Sequence, residues 1–303
     1  MTTATAPTGK VRMTAGERAG IPPRRMDFEF SQDAKRYWYA DNSFLTTFWT
    51  TLSALFPEGE TFFVDSVKNY RHEIKDQLLK DQVSGFIGQE AMHSKEHAAF
   101  NDLAEKNGMP ANQLDKELGW LFKIGRKVLP KKLQLAITVA LEHYTAILAE
   151  QLLRDERHQE NIQDEDALKL WMWHALEENE HKIVAYDVYE TIGGGYFTRV
   201  FAMLVSTIFF FAIVGQGHIR LMWADRSLFN MKANLKGLWF LWGWKGLFPQ
   251  LFFKYMDYFR PGFHPNDHDT VQLLDDWREK MLQDGGMLAD QIKNPSHVRT
   301  SAA

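Results

Sequence analysis

Residues 89–93 read Gln89-Glu90-Ala91-Met92-His93, and residues 177–181 read Glu177-Glu178-Asn179-Glu180-His181. Each run holds a Glu-x-x-His. Residues three apart share one face of a helix, so Glu90 with His93, and Glu178 with His181, can aim at a common point. A single such pair is common and says little. Two of them, each joined by a Glu from another helix, make the donor set of a two-metal carboxylate site inside a four-helix bundle. The two further acids are Glu60 in PEGETFF (57–63) and Glu142 in LEHYTA (141–146).

The surrounding pattern is helical. Phe44, Phe48, Leu52 and Leu55 recur at helical spacing from Asn42 onward. Pro57 is expected to end that helix and to open another over 57–70 that carries Glu60. Asp76 is placed to cap a helix over 76–106 that stops at Asn107-Gly108. A short amphipathic stretch within 109–130 precedes a helix over 132–158 with Glu142. A polar turn at 158–164 leads to a helix over 166–192, ended by Gly193-Gly194-Gly195. No strand-like alternation interrupts this order, so the fold class is all-α.

The spacing brings the four stretches level. Glu60 lies about 14 residues before a turn near Ile74 and Glu90 about 16 after it, which sets them at one height in an antiparallel hairpin. Glu142 and Glu178 stand about 20 before and about 16 after a turn near Ile162. The metal ligands expected are therefore Glu60, Glu90, His93, Glu142, Glu178 and His181. A metal-bound His orients itself through its second nitrogen. Gln89 and Glu177 could serve the His of the opposite helix pair in that way. His97 and His174 share the same stripe, as additional ligands or as supports behind the ligands.

Composition narrows the remaining choices. The 303 residues carry a net charge of −4 and no Cys, which gives no general pull toward nucleic acid and excludes disulfides, thiolate zinc sites and a thiol nucleophile. The polar start has no apolar core segment, so it is not read as a secretory signal. The expected compartment is the cytoplasm, with membrane association left open. The expected organisation is a disordered tail (1–25), a metal-binding bundle (26–195), an apolar and aromatic helical extension (196–283) and a loose tail (284–303). Within the extension, VFAMLVSTIFFFAIVG (200–215) is too short as a helix to cross the roughly 30 Å hydrocarbon core. GLWFLWGWKGLFPQLFFKYMDYF (237–259) mixes Trp, Phe, Tyr and Lys in a way suited to a membrane interface. Three uses of the extension stay open: packing on the bundle or in a homodimer, peripheral membrane contact through 200–259, and a channel for a small hydrophobic substrate.

The runs RRMDFEF, LFPEGETFFVDSVKNYR, GFIGQEAMHSKEH, LEHYTA, WHALEENEHK and YFRPGFHP, spread over about 21–265, resemble a bacterial family described as predicted metal-dependent hydrolases. That resemblance implies a metal-binding helical protein. The ligand pattern also resembles the ferritin-like superfamily, whose members oxidise iron or activate O₂, and implies a ferritin-like bundle with the six ligands named above. The second Glu-x-x-His and the apolar extension depart from ferritin itself. Carboxylate and imidazole donors without thiolate suit iron, with manganese or zinc as alternatives. The main reading is a two-iron oxidase or oxygenase acting on a hydrophobic small molecule. The alternatives are a hydrolase using a metal-bridged hydroxide, and a non-enzymatic metal-binding or membrane-associated bundle.

Overall fold

The computed structural model describes residues 13–31 and 34–294, which are helical with one isolated bridge between Tyr39 and Ile162. In chain order the elements are α1 (Ala15–Arg18), α2 (Ser43–Lys68), α3 (Gln77–Lys106), α4 (Ala111–Val128), α5 (Lys131–Arg154), α6 (Glu156–Asn161) and α7 (Glu165–His181). There follow α8 (Val184–Thr191), α9 (Tyr196–Ala224), α10 (Met231–Trp242), α11 (Leu247–Asp257), a 3₁₀ turn (Pro265–Asp267) and α12 (Val271–Leu282). Side-chain oxygens of Asn42, Asp76 and Asp164 accept from the backbone N–H three residues on, starting α2, α3 and α7. Asn107 and Gly108 (φ +82°) end α3.

Helix α2 packs on α3 and α5, α5 on α7, and α3 on α7. Two apolar clusters flank the level where these four helices meet. One gathers Phe48, Trp49, Leu152, Trp171 and Trp173; the other gathers Phe62, Phe86, Leu135, Val139 and Tyr258. A large apolar side chain taken fully from water contributes about 2–3 kcal/mol, so these clusters hold the polar level between them against its desolvation cost.

Pro57 does not end a helix: α2 is continuous from Ser43 to Lys68. Pro57 lacks the N–H that would reach the Ser53 carbonyl. That carbonyl instead accepts from Asn101 Nδ2 of α3 at 3.1 Å, so the helix continues without an orphaned acceptor. The helix expected over 166–192 breaks after His181, where Lys182 turns out to Thr270 Oγ1 (2.9 Å), and resumes as α8. The stretch between 109 and 130 is mostly one long helix, α4.

Both expected tails need correction where they are described. Residues 13–25 hold α1 and then cross the bundle, with Ile21 and Arg24 buried. Residues 284–294 are not loose, because Leu288 and Ile292 are buried and Lys293 N donates to the Arg25 carbonyl at 2.8 Å. The segments around Arg25 and Lys293 thus hold each other. Residues 1–12 and 295–303 lie outside the described residues.

Helix α9 is long and apolar enough to cross a membrane by length and composition alone. One of its faces, including Ala202, Met203, Ser206 and Gly217, lies against α2 and α5. His218 Nε2 donates to the Phe44 carbonyl (2.9 Å), and Arg199 stands 4.6 Å over the Tyr258 ring.

Candidate metal centre

The bundle brings Glu60 (α2), Glu90 and His93 (α3), Glu142 (α5), and Glu178 and His181 (α7) together, each buried. Their donor atoms form overlapping groups in which every atom lies within 4.8 Å of the others: Glu60–His93–His174, Glu90–His93–Glu178, and Glu90–Glu142–His181. Buried polar atoms are normally hydrogen-bonded. Here Glu60 Oε1, both oxygens of Glu90, both of Glu142, Glu178 Oε2, His93 Nδ1 and His181 Nε2 are buried with no hydrogen-bond partner. The orphaned atoms are the ones that face one another. Carboxylates unpaired in a dry interior are costly, and a cation among them removes that cost. The donor set therefore fits metal ions, and its O/N character suits iron, manganese or zinc.

The surrounding bonds turn each imidazole toward the cluster. Gln89 Nε2 donates to the Pro22 carbonyl and to Glu180 Oε2, so Gln89 Oε1 is the acceptor left for His181 Nδ1–H (2.9 Å). The bare nitrogen of His181 is then Nε2, which lies 3.1 Å from Glu90 Oε1 and 3.7 Å from both Glu142 and Glu178. His93 Nε2–H donates to Glu177 Oε2 (3.1 Å), leaving Nδ1 toward Glu178 (3.5 Å) and Glu90 (3.7 Å). Each supporting acceptor comes from the other Glu-x-x-His helix, so α3 and α7 hold each other's ligands in place.

Arg24 balances the charge behind the cluster. It is almost fully buried, and Nη1 donates to Glu177 Oε1 (2.8 Å) and Glu180 Oε2 (2.7 Å). Arg278 adds a bond to Glu180 Oε1 (2.9 Å). Nothing in the helical periodicity signals this role for Arg24. Its one sequence cue is its place two residues before the alternation of apolar and acidic residues Met26-Asp27-Phe28-Glu29-Phe30.

Burial, followed by the charge of Glu90, pushes Glu60 and Glu142 well above the usual carboxylate range. Burial alone would lower His93, but its hydrogen bond to Glu177 and the nearby carboxylates of Glu178 and Glu90 hold it well above the ordinary imidazole value. His181 is raised in the same way by Glu178 and Glu90. Without a cation the site therefore retains protons, which metal ions would displace.

His97 and His174 form a chain behind the cluster. Asn101 Nδ2 is committed to the Ser53 carbonyl, so Asn101 Oδ1 must accept from Ser53 Oγ (2.8 Å). Ser53 Oγ in turn accepts from His97 Nδ1–H (2.9 Å), and His97 Nε2 accepts from His174 Nδ1–H (2.6 Å). The bare nitrogen of His174 is Nε2, which lies 2.9 Å from Glu178 Oε1 and 3.8 Å from Glu60 Oε1. Burial, then the neighbouring imidazoles, keeps His97 well below its ordinary pKa; burial first also lowers His174. A neutral His97 ring is what this chain of bonds requires, since its Nε2 must accept.

Several other polar side chains of the fold make their bonds away from the cluster. His143 bonds the Lys254 carbonyl, and His264 and His268 pair with Asp187 and Asp257. Tyr144 OH meets Thr207 Oγ1 at 2.8 Å.

A chamber of about 530 Å³ reaches the cluster between α4, α5 and α9. Its walls are apolar, among them Leu52, Phe63, Leu118 and Leu148, and it meets the cluster at Glu60, His174 and Glu178. A volume of that size, with few polar groups at one end, is typical of a small-molecule site.

Fold and site together define an all-α protein with a buried, metal-binding carboxylate–imidazole centre. The chain belongs to the family described as predicted metal-dependent hydrolase, which matches residues 22–269. That description agrees with the hydrolytic alternative better than with the oxidative reading. No curated protein and no solved structure matches the chain.

Proposed function

We propose that the protein is a metal-dependent hydrolase whose centre holds two divalent ions and cleaves an ester or amide of an apolar, chain-like acid. The observation that carries the reading is the apolar chamber ending on the cluster at Glu60, His174 and Glu178; the family description supports the reaction class. Four carboxylates balance two divalent charges. Glu60, His93 and His174 would hold one ion and Glu90, Glu142 and His181 the other, with Glu178 close to both Glu90 and His93.

Ions held there would supply either a hydroxide at neutral pH or, with iron, electrons for O₂. The chain's own residues do the rest. The chamber walls bind the apolar part of the substrate and exclude bulk water. Gln89, Glu177 and His97 keep the three imidazoles oriented. Hydrolysis adds the water oxygen to the acyl carbon, breaks the bond to the leaving oxygen or nitrogen, and returns a proton to that atom.

Oxygen chemistry is the second reading. It is favoured by the donor set itself: carboxylates and imidazoles on four packed helices, with Glu-x-x-His on two of them, as in ferritin-like two-iron bundles. One experiment separates the two. Metal-stripped protein is reloaded with Zn²⁺, Mn²⁺ or Fe²⁺ and assayed anaerobically and in air against aryl esters of increasing chain length. Hydrolysis with Zn²⁺, independent of O₂ and rising with chain length, is the expected result. No hydrolysis under any loading, together with O₂ uptake by the Fe²⁺ form, would replace hydrolysis with the second reading.

A further inference from the structure

The chamber's outer rim is part of a larger exposed surface. Leu121 and Val128 of α4 and Phe201 and Phe209 of α9 line the chamber and are also exposed. The apolar surface continues across α10 and α11, where Trp239, Trp244 and Phe253 are 72%, 87% and 77% exposed. Phe211 of α9 stacks near Trp242 and Phe248, which joins the three helices into one face. An apolar area of this extent marks an interaction surface.

Charge identifies what it meets. Residues 118–132 carry Lys123, Arg126, Lys127, Lys131 and Lys132 and no acid. Residues 226–256 carry Arg226, Lys232, Lys236, Lys245 and Lys254 and no acid, in a chain whose net charge is −4. Arg126 and Lys254 are paired with Asp65 and Glu150; Lys123, Lys127, Lys232, Lys236 and Lys245 are exposed. Trp beside Lys is the composition of a membrane–water interface, where the ring lies at headgroup depth and the ammonium meets anionic headgroups. A second copy of the chain is a poorer fit. A symmetric dimer would set these cations against their own counterparts, and protein interfaces are depleted in Lys.

Helix α9 also sets the geometry. Arg199, Thr207 and His218 bond it along its length to α11 and its C-terminal flank and to α2, and its inner face is packed, so lipid can reach it only from the side. We propose that the face built by α4, α9, α10 and α11 docks on an anionic lipid bilayer, with the chamber mouth opening into the leaflet so that the apolar substrate enters from it. The docking stands on the exposed face; the route of substrate rests on the chamber being the substrate site.

The test is co-sedimentation of the full chain with vesicles of phosphatidylcholine alone and of phosphatidylcholine with phosphatidylglycerol, at low and high salt. It compares wild type with K232E/K236E/K245E and with W239S/W244S/F253S, whose targets are exposed. Metal content, circular dichroism and turnover of a short soluble ester are measured on the same preparations. Wild type is expected to bind anionic vesicles at least about tenfold more tightly than neutral ones, with salt weakening the difference. The charge variant should lose that preference, and the apolar variant should lose binding to both, with metal and turnover retained. The proposal is overturned if wild type stays in solution with both vesicles, if the variants bind as wild type does, or if the apolar face proves to be a dimer contact that the Trp/Phe variant dissolves. Because metal and soluble-substrate turnover are read separately, that failure would leave the hydrolase reading to stand or fall by itself.

Discussion

At the scale of single residues, the centre is organised by which nitrogen of each imidazole carries the proton. Asn101, Ser53 and His97 leave His174 one bare nitrogen, aimed at Glu60 and Glu178. If His174 is a ligand, H174A lowers bound metal from about two ions per chain toward one, as read by elemental analysis after dialysis. Ser53→Ala keeps the stoichiometry but weakens the tighter binding by about tenfold, because the support is lost and the ligand is not; competition with a chelator measures this. Arg24 presents a different case. R24M leaves Glu177 buried without its cation, and removing one partner of a buried pair costs about 3–5 kcal/mol. Urea denaturation of the metal-free variant should show a loss of that order, and a loss below about 1 kcal/mol would overturn this role for Arg24.

At the scale of elements, Pro57 has the clearest consequence. Its missing N–H leaves the Ser53 carbonyl to Asn101, which couples the middle of α2 to α3 at the level of the site. Asn101→Leu should cost about 1–3 kcal/mol for the acceptor it strands. Adding Pro57→Ala supplies the missing N–H within α2, so the double variant should regain part of that stability. Its metal affinity should stay low, since Ser53 Oγ still lacks its acceptor. A double-mutant cycle by chemical denaturation, with metal titration alongside, checks both halves. The break after His181 works in the same register: it ends α7 at the last residue of the cluster and frees Lys182 to reach the loop before α12.

At the scale of the whole molecule, two histidines far from the cluster contribute to its response to acid. Burial lowers His158 and His218 to about 4 each. Both are neutral in the fold, whereas in the unfolded chain they take up a proton near about 6.5. The unfolded state therefore binds more protons between those values, and stability falls as pH drops from about 6.5 to about 4, then levels off for these groups. A gap of that size amounts to about 3 kcal/mol per histidine. His218→Gln, which keeps a donor for the Phe44 carbonyl, should remove roughly half of this contribution when denaturation of the metal-free protein is followed across that window.

The sequence by itself determined the all-α class, the starts of α2, α3, α5 and α7 and the residues Glu60, Glu90, His93, Glu142, Glu178 and His181 that now lie together. These follow from local rules: caps, periodicity, three-residue spacing and equal distance from a turn. It pointed to Pro57 as a helix end because proline's missing donor is a local fact, while the Asn101 side chain that compensates for it is 44 residues away. Arg24 was invisible for the same reason, since a charged residue beside a polar start is buried only because Glu177 and Glu180 meet it from across the bundle. The tertiary structure alone decided that Arg24 backs Glu177 and Glu180, that His174 turns its bare nitrogen inward, and that an apolar chamber ends on the cluster. Those outcomes depend on which helix faces pack together, and spacing along one chain carries no information about its neighbour's side chains.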